Sequence, residues 1–426
     1  MFGYHREPES RFPGYTYCDF ALAIAEQDLQ YLDGTALNRR KVTRGTDFTV
    51  VTSAVTGGSG VSPVPSVATL SLRPSWLPAF IPAFDGLRAV AIIVVLLYHC
   101  HPRLQGTIFE GFIVWGWTGV SLFFVLSGFL ITGIILDSHG SPRFYTNFFA
   151  RRFLRIWPAY LMLLFLYYWF FPFVFSGYRW MFHGIAAAPW LFLLLFVQNL
   201  WPISLPGAIG PTWSLAIEQQ FYLFWAPIAR RLPPRWLLLA ATAMLATSPI
   251  VRIFWGNRLT PTHTLTHLDG LAVGSIIAIA LRVFPWPLNT WKWVARAALG
   301  VGAAGIALML NHGSAWTDTL ISIGFGGMLL AGLLGQTGIR PTLYCRALTL
   351  PPLLFVGKIS YGLYVTHILV FSVLGGYVDK PLDHFGIPGN LAIVVIRLAA
   401  SIGFAAMMWY RFEKPILGLK RYFNFR

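Results

Sequence analysis

The segment GVSLFFVLSGFLITGIIL, residues 119–136, contains no ionisable side chain. An α-helix rises about 1.5 Å per residue, so a helix of this length reaches across nearly all of a hydrocarbon core about 30 Å thick. An uncharged apolar run of this length is typical of a transmembrane helix. The segment therefore predicts an integral membrane protein.

Comparable apolar runs recur along the chain, and together they predict the fold. The predicted membrane spans, ten in all, lie near residues 84–101, 115–136, 158–175, 212–229, 235–253, 266–283, 293–311, 318–335, 353–374 and 391–411. A further run, 186–200, is short, and we interpret it as re-entrant or interfacial. The predicted fold class is an all-α integral membrane protein with about ten transmembrane helices.

The composition excludes a soluble protein. Charged residues make up 11% of the 426 residues, whereas ordinary globular chains contain roughly a quarter. Hydrophobic residues make up 56%. The net charge of +16 arises entirely after residue 75, where the basic residues stand between apolar runs rather than on one polar face. This pattern indicates cytoplasmic loops of a membrane protein rather than a nucleic-acid partner.

The distribution of basic residues between the predicted spans gives the orientation. With a cytoplasmic N-terminus, the loops that face the cytoplasm carry Arg143, Arg151, Arg152, Arg155, Arg230, Arg231, Arg235, Arg282, Lys292, Arg340 and Arg346. The opposite loops carry only Arg103, Arg179, Arg258 and Lys380. Because positive charge marks the cytoplasmic side, we predict that both termini are cytoplasmic. We expect a multi-pass protein of the cell (cytoplasmic or inner) membrane.

Residues 1–78 differ from the rest of the chain. They are mostly polar, with a Gly/Ser/Thr-rich stretch near 52–60. Two interpretations stay open: a disordered cytoplasmic tail, or an over-long gene start. The membrane domain is predicted to occupy 79–426. The three cysteines, Cys18, Cys100 and Cys345, are too far apart in sequence to predict a disulfide framework or a metal site.

Few ionisable side chains fall in the predicted spans, and burying such groups in a bilayer is costly, so each is a candidate functional residue. The acids are Glu218 and Asp269 inside spans and Asp85 and Asp137 at span ends; the histidines are His99, His367 and His267. Each also has a purely structural interpretation. An embedded histidine can be an interfacial hydrogen-bonding residue, and an embedded acid can pair with an arginine to pack helices.

Arg88 and His99 lie eleven residues apart on the first predicted span. Eleven residues are close to three helical turns, so both side chains project from one face, roughly 16 Å apart along the helix axis. The unperturbed pKa of histidine suits proton transfer near neutrality, which makes His99 a candidate base. Snorkelling of Arg88 to the membrane interface is the structural alternative.

Arg151, Arg152 and Arg155 precede Trp157 and Pro158 at the predicted cytoplasmic start of the third span. The cluster is either a topology signal or a phosphate clamp, because guanidinium groups bind phosphate oxygens in a bidentate manner.

Seven segments of the chain, read in order, resemble the acyltransferase-3 family of membrane enzymes. They are FDGLRAVAIIVVLLYH (84–99), GVSLFFVLSGFLITGIIL (119–136), FYTNFFARRFLRIWPAY (144–160), PTWSLAIEQQFYLFW (211–225), HLDGLAVGSIIA (267–278), GKISYGLYVTHILV (357–370) and YRFEKP (410–415). The resemblance covers the chain from about residue 80 to its end.

The resemblance implies an O-acyltransferase that moves an acyl group from acyl-coenzyme A, with acetyl-CoA favoured, to a hydroxyl of a carbohydrate or small metabolite. It implies no metal. The matching positions are Arg88 and His99, the loop arginines 151, 152 and 155, Trp213, Ser214 and Glu218, Asp269, and the late residues Ser360, Tyr361 and His367. Many members carry an arginine two residues before the acid aligned with Asp269, where this chain has His267.

The expected mechanism has His99 as general base on the acceptor hydroxyl, with Arg88 and the arginine cluster attracting the donor. A carboxylate, with Asp85 and Glu218 as candidates, or a backbone group would orient the imidazole. A covalent acyl-enzyme through Ser127, Ser214 or the histidine is the mechanistic alternative. A transporter or flippase without acyl transfer, and a non-catalytic scaffold, are the alternative functions.

Overall fold

The computed structural model describes residues 73–78, 80–138, 140–174, 190–200, 207–256, 258–311, 313–337 and 340–425. The chain divides into two units, Met1–Ala68 and Thr69–Arg426, and every described residue belongs to the second. The predicted N-terminal tail lies outside the described residues apart from its last few positions. Its disorder and the boundary at residue 78 therefore stay predictions.

All regular secondary structure in the described residues is helical, as the composition predicts. A long helix occurs at each predicted span: α1 Pro82–His99, α2 Gly119–Asp137, α3 Phe144–Phe165, α4 Trp213–Arg231, α5 Pro234–Trp255, α6 Leu268–Val283, α7 Leu288–Leu310, α8 Thr317–Leu334, α9 Pro351–Leu374 and α10 Gly386–Met408. The predicted all-α character is therefore confirmed for this part of the chain.

Eight helical segments of the described chain are long and apolar enough to cross a membrane. The long helices that fall short are α4, which carries Glu218 and two glutamines, and α6, which has 16 residues. Both pack against other long helices, α4 against α2 and α6 against α2, α5 and α8, so part of their surface faces protein rather than lipid. The count of ten spans stays a prediction.

The 186–200 run contains a helix of five residues, Trp190–Leu194, within its described part. The chain then turns at Phe196, whose φ of 54° is unusual for a non-glycine residue. Gln220 of α4 holds this turn, because its Nε2 donates to the Phe196 carbonyl at 2.7 Å. The described helix is too short to cross a bilayer, and the re-entrant or interfacial interpretation stays a prediction.

The end of α1 next to His99 is held by ion pairs that reach α10. Arg103, just beyond α1, donates to Asp379 Oδ2 at 2.7 Å, and Arg397 of α10 donates to the same oxygen at 2.5 Å. Arg103 also pairs with Asp383. These contacts fix the end of the helix that carries the candidate base.

Glycines bring α2 and α6 into backbone contact. A Cβ at Gly128 would lie 2.1 Å from the Leu271 carbonyl oxygen, and one at Gly274 would lie 2.0 Å from the Val125 carbonyl oxygen. Small residues allow such close approach between membrane helices, where van der Waals packing supplies much of the association energy. The same device joins α7 to α8 through Gly302 and Gly324.

Replacing Gly274 tests this contact. We expect Gly274→Ala to lower the free energy of unfolding by about 1–3 kcal/mol, because the methyl group overlaps a backbone oxygen that cannot move alone. Gly300→Ala is the matched control, since a Cβ at Gly300 meets nothing within 4 Å. Thermal unfolding of both purified variants in detergent measures the difference. Equal midpoints for Gly274→Ala and the control would contradict the packing described here.

Candidate functional site

Two adjoining cavities lie among α1, α2, α4 and α9. The first, called here the arginine cavity, is lined by Arg88, Arg152, Arg155, Ser127, Ser214, Glu218, Tyr222, Ser360 and Tyr361, among others. The second, the histidine cavity, has a volume of about 440 Å³ and is lined by His99, His267, Tyr98, Trp117 and Trp213, among others. Val120, Phe124 and Tyr364 line both cavities and form the wall between them.

Helix α1 contributes to both cavities. Arg88 lines the arginine cavity and His99 lines the histidine cavity. One face of α1 therefore connects the two spaces, which agrees with the eleven-residue spacing.

The hydrogen bonds of His99 define its tautomer. Nδ1 of His99 lies 2.9 Å from the Val95 carbonyl oxygen. A carbonyl oxygen only accepts, so Nδ1 carries the proton of the neutral ring and Nε2 carries the lone pair. Nε2 has no hydrogen-bond partner among the described residues. His99 therefore lines its cavity with a free hydrogen-bond acceptor, which is the state a general base requires.

His367 lies directly behind His99. Its Nδ1 is 2.7 Å from the Tyr364 carbonyl oxygen, so this nitrogen also carries the proton. Its Nε2 is then an acceptor, and it lies 3.3 Å from Nδ1 of His99. His367 is fully buried. The N–H of His99 thus faces two acceptors, the Val95 carbonyl and the His367 ring.

The two candidate orienting carboxylates do not hydrogen bond to His99. Asp85 lies in the first turn of α1, about three turns from His99, and pairs with Arg88 at 2.5 Å. Glu218 accepts from Ser127 Oγ at 2.6 Å and from the Tyr222 hydroxyl at 3.0 Å. Of the two expected kinds of orienting group, a carboxylate and a backbone group, the structure places the backbone carbonyl of Val95 at Nδ1 of His99, together with His367.

The arginine cluster divides between two environments. Arg152 and Arg155 line the arginine cavity, whereas Arg151 donates to the Phe423 carbonyl at 3.0 Å and does not line it. Arg151 and Arg155 are one helical turn apart on nearly the same face of α3, so the contact of Arg151 with Phe423 near the C-terminus, rather than helical spacing, accounts for the separation. Of the three arginines in the predicted clamp, Arg152 and Arg155 thus line the cavity with Arg88 of α1, and the clamp itself stays a prediction.

The guanidinium groups of Arg152 and Arg155 lie over aromatic rings rather than against carboxylates. Arg152 lies 5.9 Å from the ring centres of Phe148 and Tyr222, and Arg155 lies 5.8 Å from that of Tyr361. Neither forms an ion pair within the described part of the chain. Three guanidiniums and one carboxylate, Glu218, line this cavity, and Asp85, the partner of Arg88, lies outside the lining. Guanidinium groups suit a polyanionic ligand.

Trp213, Ser214, Ser360 and Tyr361, which the family resemblance also indicated, line the same two cavities. Ser214 lies 2.6 Å from the Tyr364 hydroxyl, and Tyr361 donates to the Ile156 carbonyl at 2.7 Å. Trp213 packs on His267 with ring centres 5.0 Å apart. Glu218 is a candidate base for Ser127, because the Ser127 hydroxyl donates to its carboxylate.

Asp269 lines neither cavity. Its Oδ2 accepts from Arg252 Nη2 at 2.9 Å and from the Thr319 hydroxyl at 3.0 Å. Arg252 also donates to the Thr266 carbonyl at 2.6 Å and lies 3.4 Å from Asp318. Asp269 therefore joins α5, α6 and α8, and the structure supports its interpretation as a packing acid rather than a site residue.

Sequence reasoning missed four residues of this region. Arg252 stands near the end of a predicted span, and a basic residue there was a visible signal for a buried partner. Tyr364 lies one turn from both Tyr361 and His367 on α9, so helical spacing could have identified it. Trp117 and the cavity-facing position of His267 depend on loop geometry, which no local pattern reveals. Among the described residues, no group of histidine, cysteine or acidic side chains could hold a metal ion.

The sequence comparisons relate the chain to known acyltransferases. A family model described as an acyltransferase domain of the acyltransferase-3 type matches residues 81–410. The chain is 28% identical over 365 residues to a peptidoglycan O-acetyltransferase OatA of Listeria monocytogenes, covering 79% of this chain and 56% of that protein. It is 28% identical over 375 residues to an O-acetyltransferase OatA of Staphylococcus aureus, with 81% and 58% covered.

A putative O-acetyltransferase of Staphylococcus aureus is 25% identical over 384 residues, with 79% of this chain and 57% of that protein covered. The chain thus spans little more than half the length of these curated relatives. No solved structure matches the chain.

The structural role of the Arg252–Asp269 pair can be tested by its effect on stability. We expect Arg252→Leu to lower the free energy of unfolding by about 3–5 kcal/mol, because it leaves a buried carboxylate without its cation. The double variant Arg252→Leu with Asp269→Leu should recover part of that loss, since no unpaired carboxylate then remains at position 269. Thermal unfolding in detergent measures both. A double variant less stable than the single one would contradict a mainly electrostatic role.

Proposed function

Because the chain belongs to the acyltransferase-3 family, we propose that it transfers an acyl group, with acetyl favoured, from acyl-coenzyme A to a hydroxyl of a carbohydrate or small metabolite. The observation that carries the proposal is the pair of adjoining cavities along α1, one lined by three guanidiniums and one holding a histidine with a free acceptor nitrogen. The protein is a multi-pass membrane protein, and we propose the cell membrane as its location.

The arginine cavity is the proposed donor site. Coenzyme A carries several phosphate charges, and a guanidinium binds phosphate through paired N–H groups. Arg88, Arg152 and Arg155 would hold those charges. In the orientation predicted from the loop charges, this cavity lies on the cytoplasmic side, where the donor is made. When bound, the donor supplies an acyl group activated by its thioester sulfur.

The histidine cavity is the proposed acceptor site. Nε2 of His99 takes the proton of the acceptor hydroxyl as that oxygen forms its new bond to the acyl carbon. The resulting imidazolium keeps its Nδ1–H between the Val95 carbonyl and Nε2 of His367, so the positive charge forms beside two acceptors. Overall, an acyl–sulfur bond breaks, an acyl–oxygen bond forms, and the hydroxyl proton ends on the released thiol.

Tyr364 and Phe124 lie between the two cavities, where the acyl end of the proposed donor would pass from one to the other. Both line the shared wall, and the Tyr364 hydroxyl bonds to the Ser214 hydroxyl at 2.6 Å and to the Pro211 carbonyl at 3.0 Å. The acyl end of the donor must pass this wall to reach His99.

Ser127 supports the covalent alternative through its hydrogen bond to Glu218. In that route an acyl-serine would form in the arginine cavity, and the kinetics would be ping-pong. The direct route is favoured because the free acceptor nitrogen is on His99, in the other cavity. A transporter without acyl transfer is not favoured, since the family is one of acyltransferases.

Replacing His99 tests the proposed base. General base catalysis typically contributes about 10²–10⁴-fold, so we expect His99→Ala to lower acyl transfer by about a hundredfold or more while membrane insertion is unchanged. The assay supplies labelled acetyl-coenzyme A to membranes and follows label in host acceptors together with release of free coenzyme A. His384→Ala is the matched control, because His384 is exposed and lines neither cavity. Near-normal transfer by His99→Ala would remove His99 from the chemistry.

Replacing the cavity arginines tests the donor site. We expect Arg152→Gln and Arg155→Gln each to raise the donor KM about tenfold or more, with a smaller effect on kcat, because each removes a charge-assisted hydrogen bond worth roughly 1.5–3 kcal/mol. Arg235→Gln is the control, since this exposed arginine in the first turn of α5 lines neither cavity. Steady-state kinetics with varied acetyl-coenzyme A measure the donor KM and kcat of each variant. An unchanged donor KM would leave the cluster as a topology signal.

A further inference from the structure

The lining of the histidine cavity is uncharged and aromatic. Tyr98, Trp117 and Trp213 supply rings, and no aspartate, glutamate, lysine or arginine occurs among the described residues that line it. The arginine cavity, one wall away, is lined by three guanidiniums and a carboxylate. The histidine cavity is also large enough for a small ligand, since such sites usually measure about 300–1,000 Å³. Its chemistry therefore differs from that of the cavity next to it.

His267 offers this cavity a second free acceptor. Its Nε2 lies 2.8 Å from the Pro261 carbonyl oxygen, so Nε2 carries the proton and Nδ1 carries the lone pair. Nδ1 has no hydrogen-bond partner within the described chain. The ring lies on Trp213, with centres 5.0 Å apart.

The pairing of Asp269 leaves His267 available for this role. Asp269 lies two residues further on, and its Oδ2 is occupied by Arg252 and Thr319. His267 bonds to the Pro261 backbone instead. His267 is therefore not needed to neutralise the buried carboxylate of Asp269.

The loop that carries this wall is held by a network of amides and hydroxyls. Nδ2 of Asn199 donates to the Thr262 carbonyl at 3.3 Å and to the Thr264 hydroxyl at 2.7 Å. Oδ1 of Asn199 accepts from Gln220 Nε2 at 2.9 Å. Pro261, Thr262 and His267 are therefore positioned before any ligand binds, which lowers the entropic cost of binding.

We infer that the histidine cavity binds an uncharged ring that carries at least two hydroxyls, such as a neutral sugar, and that His267 fixes its orientation. One hydroxyl donates to Nε2 of His99 and is acylated; a second donates to Nδ1 of His267. The apolar C–H face of the ring packs on the aromatic wall that includes Trp213.

A ligand needs two hydrogen-bond donors to satisfy both acceptor nitrogens. A carboxylate brings only acceptors and finds no cation in this lining. The inference rests on the proposed function and narrows its acceptor class.

Two matched glycosides test the charge preference in the full chain. One is the 3-O-lactyl ether of methyl N-acetyl-β-glucosaminide, which carries one carboxylate, and the other is its carboxamide, which is the same molecule without the charge. Each is added to wild-type membranes with labelled acetyl-coenzyme A, as acceptor and as competitor of host labelling. We expect the uncharged glycoside to compete or accept at least about tenfold more effectively. Equal effects, a preference for the anionic ring, or no effect of either would overturn the inference.

Two substitutions test the role of His267. His267→Phe keeps a ring against Trp213 but removes Nδ1, and we expect it to raise the acceptor KM about fivefold to tenfold, as expected for loss of one hydrogen bond, with the donor KM unchanged. His267→Arg adds a cation, and we expect it to shift the preference toward the anionic glycoside. His384→Phe is the control. An unchanged acceptor KM in His267→Phe would overturn the assignment of His267.

These outcomes are distinguishable from failure of the proposed function itself. If wild-type membranes neither release coenzyme A nor label any acceptor, acyl transfer is refuted and this inference falls with it. If transfer occurs without the preference described, the acceptor assignment alone is refuted.

Discussion

The hydrogen bond from Nδ1 of His99 to the Val95 carbonyl is the contact on which the rest of the site depends. It lies within one turn of α1, so the helix itself holds the imidazole without help from another element. It fixes the proton on one nitrogen and leaves the other free to accept. His367, held in the same way by the Tyr364 carbonyl, adds a second acceptor behind the ring. A buried carboxylate in this position would require a cation nearby, whereas two neutral acceptors carry no such requirement.

The second organising feature is the separation of charge between the cavities. Guanidiniums that would be costly in lipid are collected around one space, where Tyr222 and Tyr361 lie beneath them. The neighbouring space contains neutral rings and histidines. An anionic donor and a neutral acceptor would thus approach one another from chemically different sides, with Tyr364 and Phe124 between them. Helix α1 spans both spaces, which makes the distance between Arg88 and His99 a fixed property of the fold.

Apolar run length located most of the long helices, but α3 begins at Phe144, well before the run predicted at 158–175, so the arginine cluster lies within the helix. Helical spacing was sufficient to put Arg88 and His99 on one face. Both properties depend on neighbours in sequence. The sequence could not show that Arg152 and Arg155 face the cavity while Arg151 contacts Phe423, because the rotation of α3 is set by packing against other helices. It also could not show that Arg252 neutralises Asp269, or that His367 rather than Asp85 lies behind His99. Those contacts join residues far apart in the chain, and several candidate partners satisfied the same charge pattern.

The most direct measurement is a cryo-EM structure of the full chain, bound to an antibody fragment for size, with a non-transferable thioether analogue of acetyl-coenzyme A. This account predicts that the phosphates contact Arg152 and Arg155 in the arginine cavity. It also predicts that the acyl carbonyl lies in the histidine cavity, within roughly 4–6 Å of Nε2 of His99, so that one hydroxyl oxygen fits between them at hydrogen-bond distance. An analogue whose acyl end lies away from His99, or whose phosphates lie outside the arginine cavity, would contradict it.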